Sequence, residues 1–155
     1  MQADPNWSKW LHASVYNHFS QDDVLNDMKF FTEDMKRDTN RVSEWLEVRI
    51  DGPRLEKTGT NNWIMWAEVN LLVSTHKNSK KLLRHQQNIG SVVAAITDIP
   101  IYRYGDEDGD DGSLVGCLQL IQDFHNKIDV IQMQVVEHAV ELLQSMAEGH
   151  YRMYL

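Results

Sequence analysis

The chain has 155 residues, 42% of them hydrophobic and 25% charged, which is the balance of an ordinary globular domain. Its net charge of −8 argues against a protein that grips nucleic acid through the phosphates, and no apolar run reaches the ~18 residues that cross a bilayer. The single cysteine, Cys117, excludes an internal disulfide, and residues 1–5 lack the basic-then-apolar layout of a signal peptide, so synthesis in a reducing cytosol is expected.

The first predicted element is an amphipathic helix. Its apolar stripe has the i, i+3, i+4, i+7 spacing of one helical face and consists of Trp7, Trp10, Leu11, Ser14, Val15 and Phe19. This stripe predicts packing in the core, with an intersubunit contact as the alternative. The charged segment that follows, 21–41, allows either a short helix or an ordered loop. Residues 1–41 are therefore interpreted as an N-terminal helix with a charged connection, and 42–155 as a sheet with one helix.

A long β-hairpin comes next. Alternation from Val42 to Ile50 predicts a strand that Gly52-Pro53 ends or bends, since proline cannot donate to a ladder. Residues 63–74 predict a central strand whose odd positions are all apolar and whose even positions are mixed. The predicted turn between the two strands consists of Thr58, Gly59, Thr60, Asn61 and Asn62.

The length of the second strand suggests a role for the hairpin beyond its own core. At ~3.3 Å per residue the strand 63–74 would run roughly 40 Å, which is long for a globular protein. We expect the hairpin to project and its tip to touch a neighbouring subunit. A long core strand with no further role is the alternative.

The remaining chain predicts a second helix and several strands. The helix follows Ser79, and His85 on its apolar stripe is interpreted as a hydrogen-bonded histidine and not as a metal ligand. Strands are predicted near 99–104, 114–121 and 128–136, with Gly116 marking a bulge or a close approach. Residues 136–146 fit either a helix or a strand. This order of elements predicts a single α+β domain, with a mainly antiparallel sheet and helices packed on one face.

The most acidic stretch lies between two predicted strands, at residues 105–112. A calcium-binding EF-hand loop that started at Asp106 would need glycine at its sixth position and glutamate at its twelfth, where this chain has Asp111 and Cys117. A solvated acidic loop is therefore expected, with an adventitious divalent-cation site as the alternative. No catalytic motif is present and Cys117 lies in an apolar strand, so the sequence predicts no enzyme and no catalytic, cofactor-binding or metal-binding residues.

Five stretches of the chain resemble the tail terminator proteins of long-tailed bacteriophages, also called tail-completion or head-to-tail joining minor tail proteins. The resemblance covers about residue 45 to the end. It rests on Arg49-Ile50-Asp51-Gly52-Pro53, Glu68-Val69-Asn70-Leu71-Leu72-Val73, Ile99-Pro100-Ile101-Tyr102-Arg103-Tyr104-Gly105, Asp110-Asp111-Gly112-Ser113-Leu114-Val115-Gly116-Cys117-Leu118 and Glu148-Gly149-His150-Tyr151-Arg152-Met153-Tyr154-Leu155.

This resemblance implies a homo-hexameric ring. Such a ring sits on the last layer of tail tube protein, stops tube growth and presents a surface to the head completion or connector protein. DNA passes through its lumen without specific binding, and the ring belongs to the tail or neck of the virion after assembly in the host cytoplasm, without a membrane or a cofactor.

Two groups of residues become candidate sites on this view. The first is the acidic loop facing the lumen, with Asp106, Glu107, Asp108, Asp110 and Asp111. The second is the hairpin tip Thr58–Asn62 as the assembly contact. The alternatives are another neck or tube-like ring protein of the virion and, from a different class, a monomeric module that binds a ligand or cation on its sheet face or acidic loop.

Overall fold

The structure is a computed structural model that describes residues 5–22, 25, 28–33, 42–60, 62–76, 82–104, 110–121, 129–137 and 140–154. These residues form two helices and seven strands: α1 Trp7–Ser20, β1 Lys29–Thr32, β2 Glu44–Lys57, β3 Trp63–His76, α2 Leu82–Ala95, β4 Ile99–Tyr102, β5 Leu114–Leu120, β6 Asp129–Glu137 and β7 Val140–Tyr154. Neither of these helices is long and apolar enough to cross a membrane.

The strands form a mixed sheet in the order β1-β2-β3-β7-β5-β4, and β6 also pairs with β7. Strand β3 pairs along one edge of β7. Strands β6 and β5 pair with successive stretches of its other edge. β1 runs parallel to β2, with Phe30 opposite Leu46, and the other described pairs are antiparallel. The predicted antiparallel sheet is thus matched only in part, since one edge strand is parallel.

Both helices share one core with the sheet. The predicted stripe of α1 is buried at Trp10, Leu11, Val15 and Phe19, and α2 adds its own apolar residues to the same cluster. β3 contributes four odd-numbered residues to this cluster: Met65, Val69, Leu71 and Val73. Both helices therefore pack on the side of the sheet that these residues face. The single-domain α+β architecture follows from this shared core.

The central strand β3 is buried on both faces in its second half only. Its odd positions are buried from Met65 onwards, but Trp63 is 37% exposed, so the prediction of a fully buried face is wrong at the first position. The even positions are half-buried as far as Glu68 and buried from Asn70 to Ser74. The first half of β3 therefore projects beyond the part of the core that covers both faces.

A β-bulge at Gly52-Pro53 bends β2 without ending it. These two residues lie opposite Ala67 alone, and Gly52 adopts a φ of 98°, which glycine tolerates best. The extra residue reverses the alternation of β2. Ile50 faces the helices before the bulge and Leu55 does so after it, which matches the change from even to odd apolar positions in the sequence.

One segment differs from the sequence-based expectations, and in another the structure forms one of the two predicted alternatives. Between 29 and 32 the chain is a strand, neither helix nor loop, because Phe31 is buried against Trp45 of the neighbouring strand. The helix considered for 136–146 is not formed, since β7 begins at Val140 and its backbone pairs with β3 and β6. The close approach predicted at Gly116 is seen: a Cβ placed there would lie 2.9 Å from Met153 Sδ.

Candidate functional site

The two sequence-predicted sites lie at the same end of the sheet. β3 starts where β7 ends, with Ile64 opposite Tyr154, and β5 runs antiparallel to β7. The connection from β4 to β5, which contains the acidic loop, therefore leaves the sheet at the same end as the turn between β2 and β3. We call this region the distal end and define it as residues 54–60, 62–66, 103–104, 110–114 and 152–154.

The hairpin tip is closed by hydrogen bonds of its own residues. The Thr58 amide donates to the Asn62 carbonyl oxygen at 2.8 Å, and the Thr58 hydroxyl donates to the same oxygen at 3.3 Å. Thr58, Gly59 and Thr60 are exposed, as is Asn62. The predicted turn is therefore present and accessible, although Asn61 lies outside the described residues.

The distal end exposes large apolar side chains. Leu55 is 43% exposed, Trp63 37% and Tyr154 60%, and Leu114 at the start of β5 is 63% exposed. The Lys57 ammonium lies 5.7 Å from the centre of the Trp63 ring, a cation–π arrangement. Leu55 lies opposite Met65 and faces the helix side of the sheet, as Trp63 does, whereas Tyr154 lies opposite Ile64 and faces the other side. Large apolar side chains that remain exposed are typical of protein contact surfaces. The sequence-based expectations did not include these exposed side chains, and for Leu55 the signal that could have found it is the change from even to odd apolar positions at Gly52-Pro53.

The C-terminal end of the acidic loop is hydrogen-bonded to the first turn of α1. The Asp110 carboxylate accepts hydrogen bonds from Lys9 Nζ at 2.6 Å and from Trp10 Nε1, and the Arg103 guanidinium lies 5.5 Å from the centre of the Trp10 ring. Gly112 donates its amide to the Arg103 carbonyl oxygen, which closes the base of the loop.

The acidic residues of this loop differ in their surroundings. The side chain of Asp110 is only 1% exposed, so this residue is a buried anchor and not a solvated loop carboxylate as expected. Asp111 is exposed, and hydrogen bonds from Ser113 lower the pKa of its carboxyl. Asp106, Glu107 and Asp108 lie outside the described residues. Of the five predicted carboxylates, the structure therefore describes one that points inwards and one that is solvated.

A groove of about 440 Å³ crosses the sheet on the side away from the helices. Asp51 and Glu68 lie directly opposite each other in it, with Trp66 and His150 beside them. Asp51 accepts a hydrogen bond from Asn70 Nδ2 at 2.7 Å. Within the part of the chain that the structure describes, no group of three His, Cys, Asp or Glu side chains is placed to hold a metal ion.

The cysteine thiol shows no sign of activation. Cys117 is exposed on β5, and partial burial together with the nearby Asp98 carboxylate raises the pKa of its thiol. Less thiolate is therefore present at neutral pH than for an ordinary cysteine, and thiolate is the reactive form.

The sequence matches no protein-family model, and no curated protein is significantly similar to it. The distal end and the groove are therefore the features from which a function can be inferred.

Proposed function

We propose that the chain is a structural virion protein that forms a ring at the top of a phage tail, ends growth of the tail tube and joins the tail to the head connector. The observation that carries this proposal is the projecting β2–β3 hairpin, whose distal part leaves Leu55 and Trp63 exposed. Burying apolar side chains stabilises a protein. Leu55 and Trp63 remain exposed in the isolated subunit, so a neighbouring subunit that covered them would be stabilised by their burial.

Ring closure is compatible with this geometry. Leu55 and Trp63 lie at one end of the sheet, so their contact with a different surface of the next copy would be heterologous. Heterologous contacts close into rings when the rotation is right. A homo-hexamer on the last layer of tail tube protein is the arrangement that the family resemblance implies. The head completion or connector protein would then meet the opposite surface of the ring.

The charge of the chain suits a channel for DNA. A net charge of −8 on each subunit repels the phosphate backbone, and DNA would pass without specific binding. In this role the protein is not an enzyme, needs no cofactor or membrane, and resides in the tail or neck of the virion.

The decisive experiment combines assembly and tube length. The purified chain is mixed with its cognate tail tube protein, and electron microscopy measures tube lengths while light scattering measures the mass of the free chain. We expect rings with an open lumen and arrested tubes. Trp63→Ser should abolish both, whereas Leu83→Ser, at an 85% exposed position on α2, should abolish neither. The proposal is contradicted if the chain remains monomeric in the presence of tail tubes and the tube lengths do not change.

A monomeric ligand-binding module is the second candidate, because the groove of about 440 Å³ lies on an uncovered part of the sheet. Its opposed carboxylates Asp51 and Glu68 favour a cationic group. Saturable binding of a small cation by a monomer, lost in Glu68→Gln and kept in Asp111→Asn, at an exposed position outside the groove, would favour this candidate over the ring.

A further inference from the structure

One buried histidine connects the second helix to the middle of the sheet. His85 of α2 is 2% exposed. Its Nδ1 lies 2.9 Å from the Thr75 hydroxyl of β3, and its Nε2 lies 3.0 Å from the Ser145 hydroxyl of β7. Both serine and threonine partners are buried as well. This is the hydrogen-bonded histidine that the sequence predicted, and it links three elements through one side chain.

The neutral imidazole satisfies both hydroxyls. One ring nitrogen donates and the other accepts, and a hydroxyl group takes either role. Protonation makes both nitrogens donors and places a positive charge among buried groups, where a charge without a partner is unfavourable. Burial accordingly lowers the pKa of His85.

Among the residues whose side chains are described, the charged groups around α2 are engaged with other partners. Glu44 of β2, opposite Thr75, is bound by Arg84 at 3.1 Å and by Asn88 Nδ2 at 3.0 Å. On α1, His18 Nε2 contacts the Ala95 carbonyl oxygen at the far end of α2. The imidazole of His85 itself meets only hydroxyl groups among its hydrogen-bond partners in the described chain.

We propose that His85 is an acid-sensitive latch, which holds α2 on the sheet while it is neutral and lets the helix open locally once it is protonated. Opening would uncover the apolar stripe of α2, with Ile89 and Val92, and the part of β3 beneath it. Local opening of one element at a free energy below that of global unfolding is common in folded proteins. A histidine that titrates near neutral pH is the group by which acid can trigger it.

Hydrogen exchange at pH 7.5 and 5.0, corrected for intrinsic rates, tests the latch on the intact chain. In the wild type, protection of α2 peptides should fall about tenfold or more at pH 5.0, because the open state binds a proton that the closed state excludes. Peptides of β3 and β7 should keep their protection. His85→Gln, which retains hydrogen bonding but does not titrate, should show α2 protection independent of pH, while His150→Gln on the opposite face should behave like the wild type.

Three results would overturn the latch. The first is α2 protection in the wild type that does not change between pH 7.5 and 5.0. The second is a fall in α2 protection in His85→Gln that equals the fall in the wild type. The third is a loss of protection in β3 as large as in α2, which would indicate global unfolding. If His85→Gln does not fold, ring ¹⁵N shifts of the wild type decide the matter. We expect His85 to stay neutral for as long as α2 is protected, and a charged His85 in a fully protected helix would refute the idea.

Discussion

The Asp110 carboxylate accepts a hydrogen bond from the Trp10 indole N–H, although 100 residues separate the two in sequence. The same carboxylate pairs with Lys9, so a loop residue and the first turns of α1 hold each other in place. The cluster fixes where the acidic loop leaves the sheet. Asp110 is therefore a structural carboxylate, whereas Asp111 is exposed and available for function.

Removing this anchor should destabilise the fold. Asp110→Ala removes the acceptor of the Trp10 N–H and the carboxylate that pairs with Lys9. A hydrogen bond to a charged group contributes about 1.5–3 kcal/mol, and the pair with Lys9 adds little because Lys9 is 38% exposed and solvent screens it. We therefore expect a loss of about 2 kcal/mol in the free energy of unfolding, measured by urea denaturation. Asp111→Ala, one residue further and exposed, should change stability by less than ~0.5 kcal/mol. Equal effects of the two substitutions would show that Asp110 is not an anchor.

Two of the five tryptophans, Trp10 and Trp63, differ in burial, so their alanine variants can be compared directly. Trp10 is 3% exposed within the core, so Trp10→Ala should lower stability by about 3–5 kcal/mol. Trp63 is 37% exposed at the distal end, and Trp63→Ala should cost less than ~1 kcal/mol in the isolated chain. Thermal midpoints of the two variants provide the measurement. A midpoint for Trp10→Ala within error of the wild type would place the α1 stripe outside the core.

Two glycine-to-alanine substitutions should act in opposite directions. A Cβ at Gly149 of β7 would lie 2.8 Å from Tyr151 Cε2 and 3.0 Å from Ile96 Cγ2, and both neighbours are buried. Overpacking of this kind destabilises by about 1–3 kcal/mol. Gly90 of α2 has no atom within 4 Å of such a Cβ, so Gly90→Ala should stabilise the helix by about 0.5–1 kcal/mol. Chemical denaturation of both variants checks the two signs.

Periodicity predicted those elements that carry a strong apolar pattern. The α1 stripe around Trp10 and the alternation of β3 were visible in the sequence because one face of each is buried in the core. That His85 is hydrogen-bonded was also predictable from its place on an apolar stripe, but its full burial between two hydroxyl groups was not. The hairpin turn at Thr58–Asn62 followed from turn residues between two alternating segments.

Features that depend on distant partners were not predictable. β1 is short and lies among charged residues, and its conformation is set by pairing with β2 and by burial of Phe31. The first part of β7 fits a helical spacing equally well, but two neighbouring strands supply its backbone hydrogen bonds. The acidic character of Asp110 gave no indication that Trp10 would bury it, since that contact is created by tertiary packing.

The hairpin tip should be needed for assembly and dispensable for folding. Replacing Thr58–Asn62 by the two-residue turn Asn-Gly keeps the strands paired, because this turn suits a tight hairpin. We expect a folded chain whose thermal midpoint is close to the wild type and which no longer arrests tail tubes. Tails of normal length and normal infectivity with this variant would contradict a role for the tip.

The carboxylates of the acidic loop other than Asp110 should keep DNA from adhering to the ring. DNA carries one negative charge per ~1.7 Å of its axis, so an acidic lumen repels it. A neutral lumen lacks this repulsion and would let DNA adhere to the wall. The variant replaces Asp106, Glu107, Asp108 and Asp111 by their amides and retains Asp110, since that residue anchors the loop. Tail length and assembly should be unchanged, while DNA ejection slows.

Salt provides the internal control for this last variant. Repulsion acts over a screening length of about 10 Å at 0.1 M ionic strength and about 3 Å at 1 M. The difference in ejection rate between variant and wild type should therefore be largest in dilute buffer and vanish at high salt. An ejection rate that is unchanged at low salt, or a particle structure that places Asp111 on the outer wall, would exclude the acidic loop from the lumen.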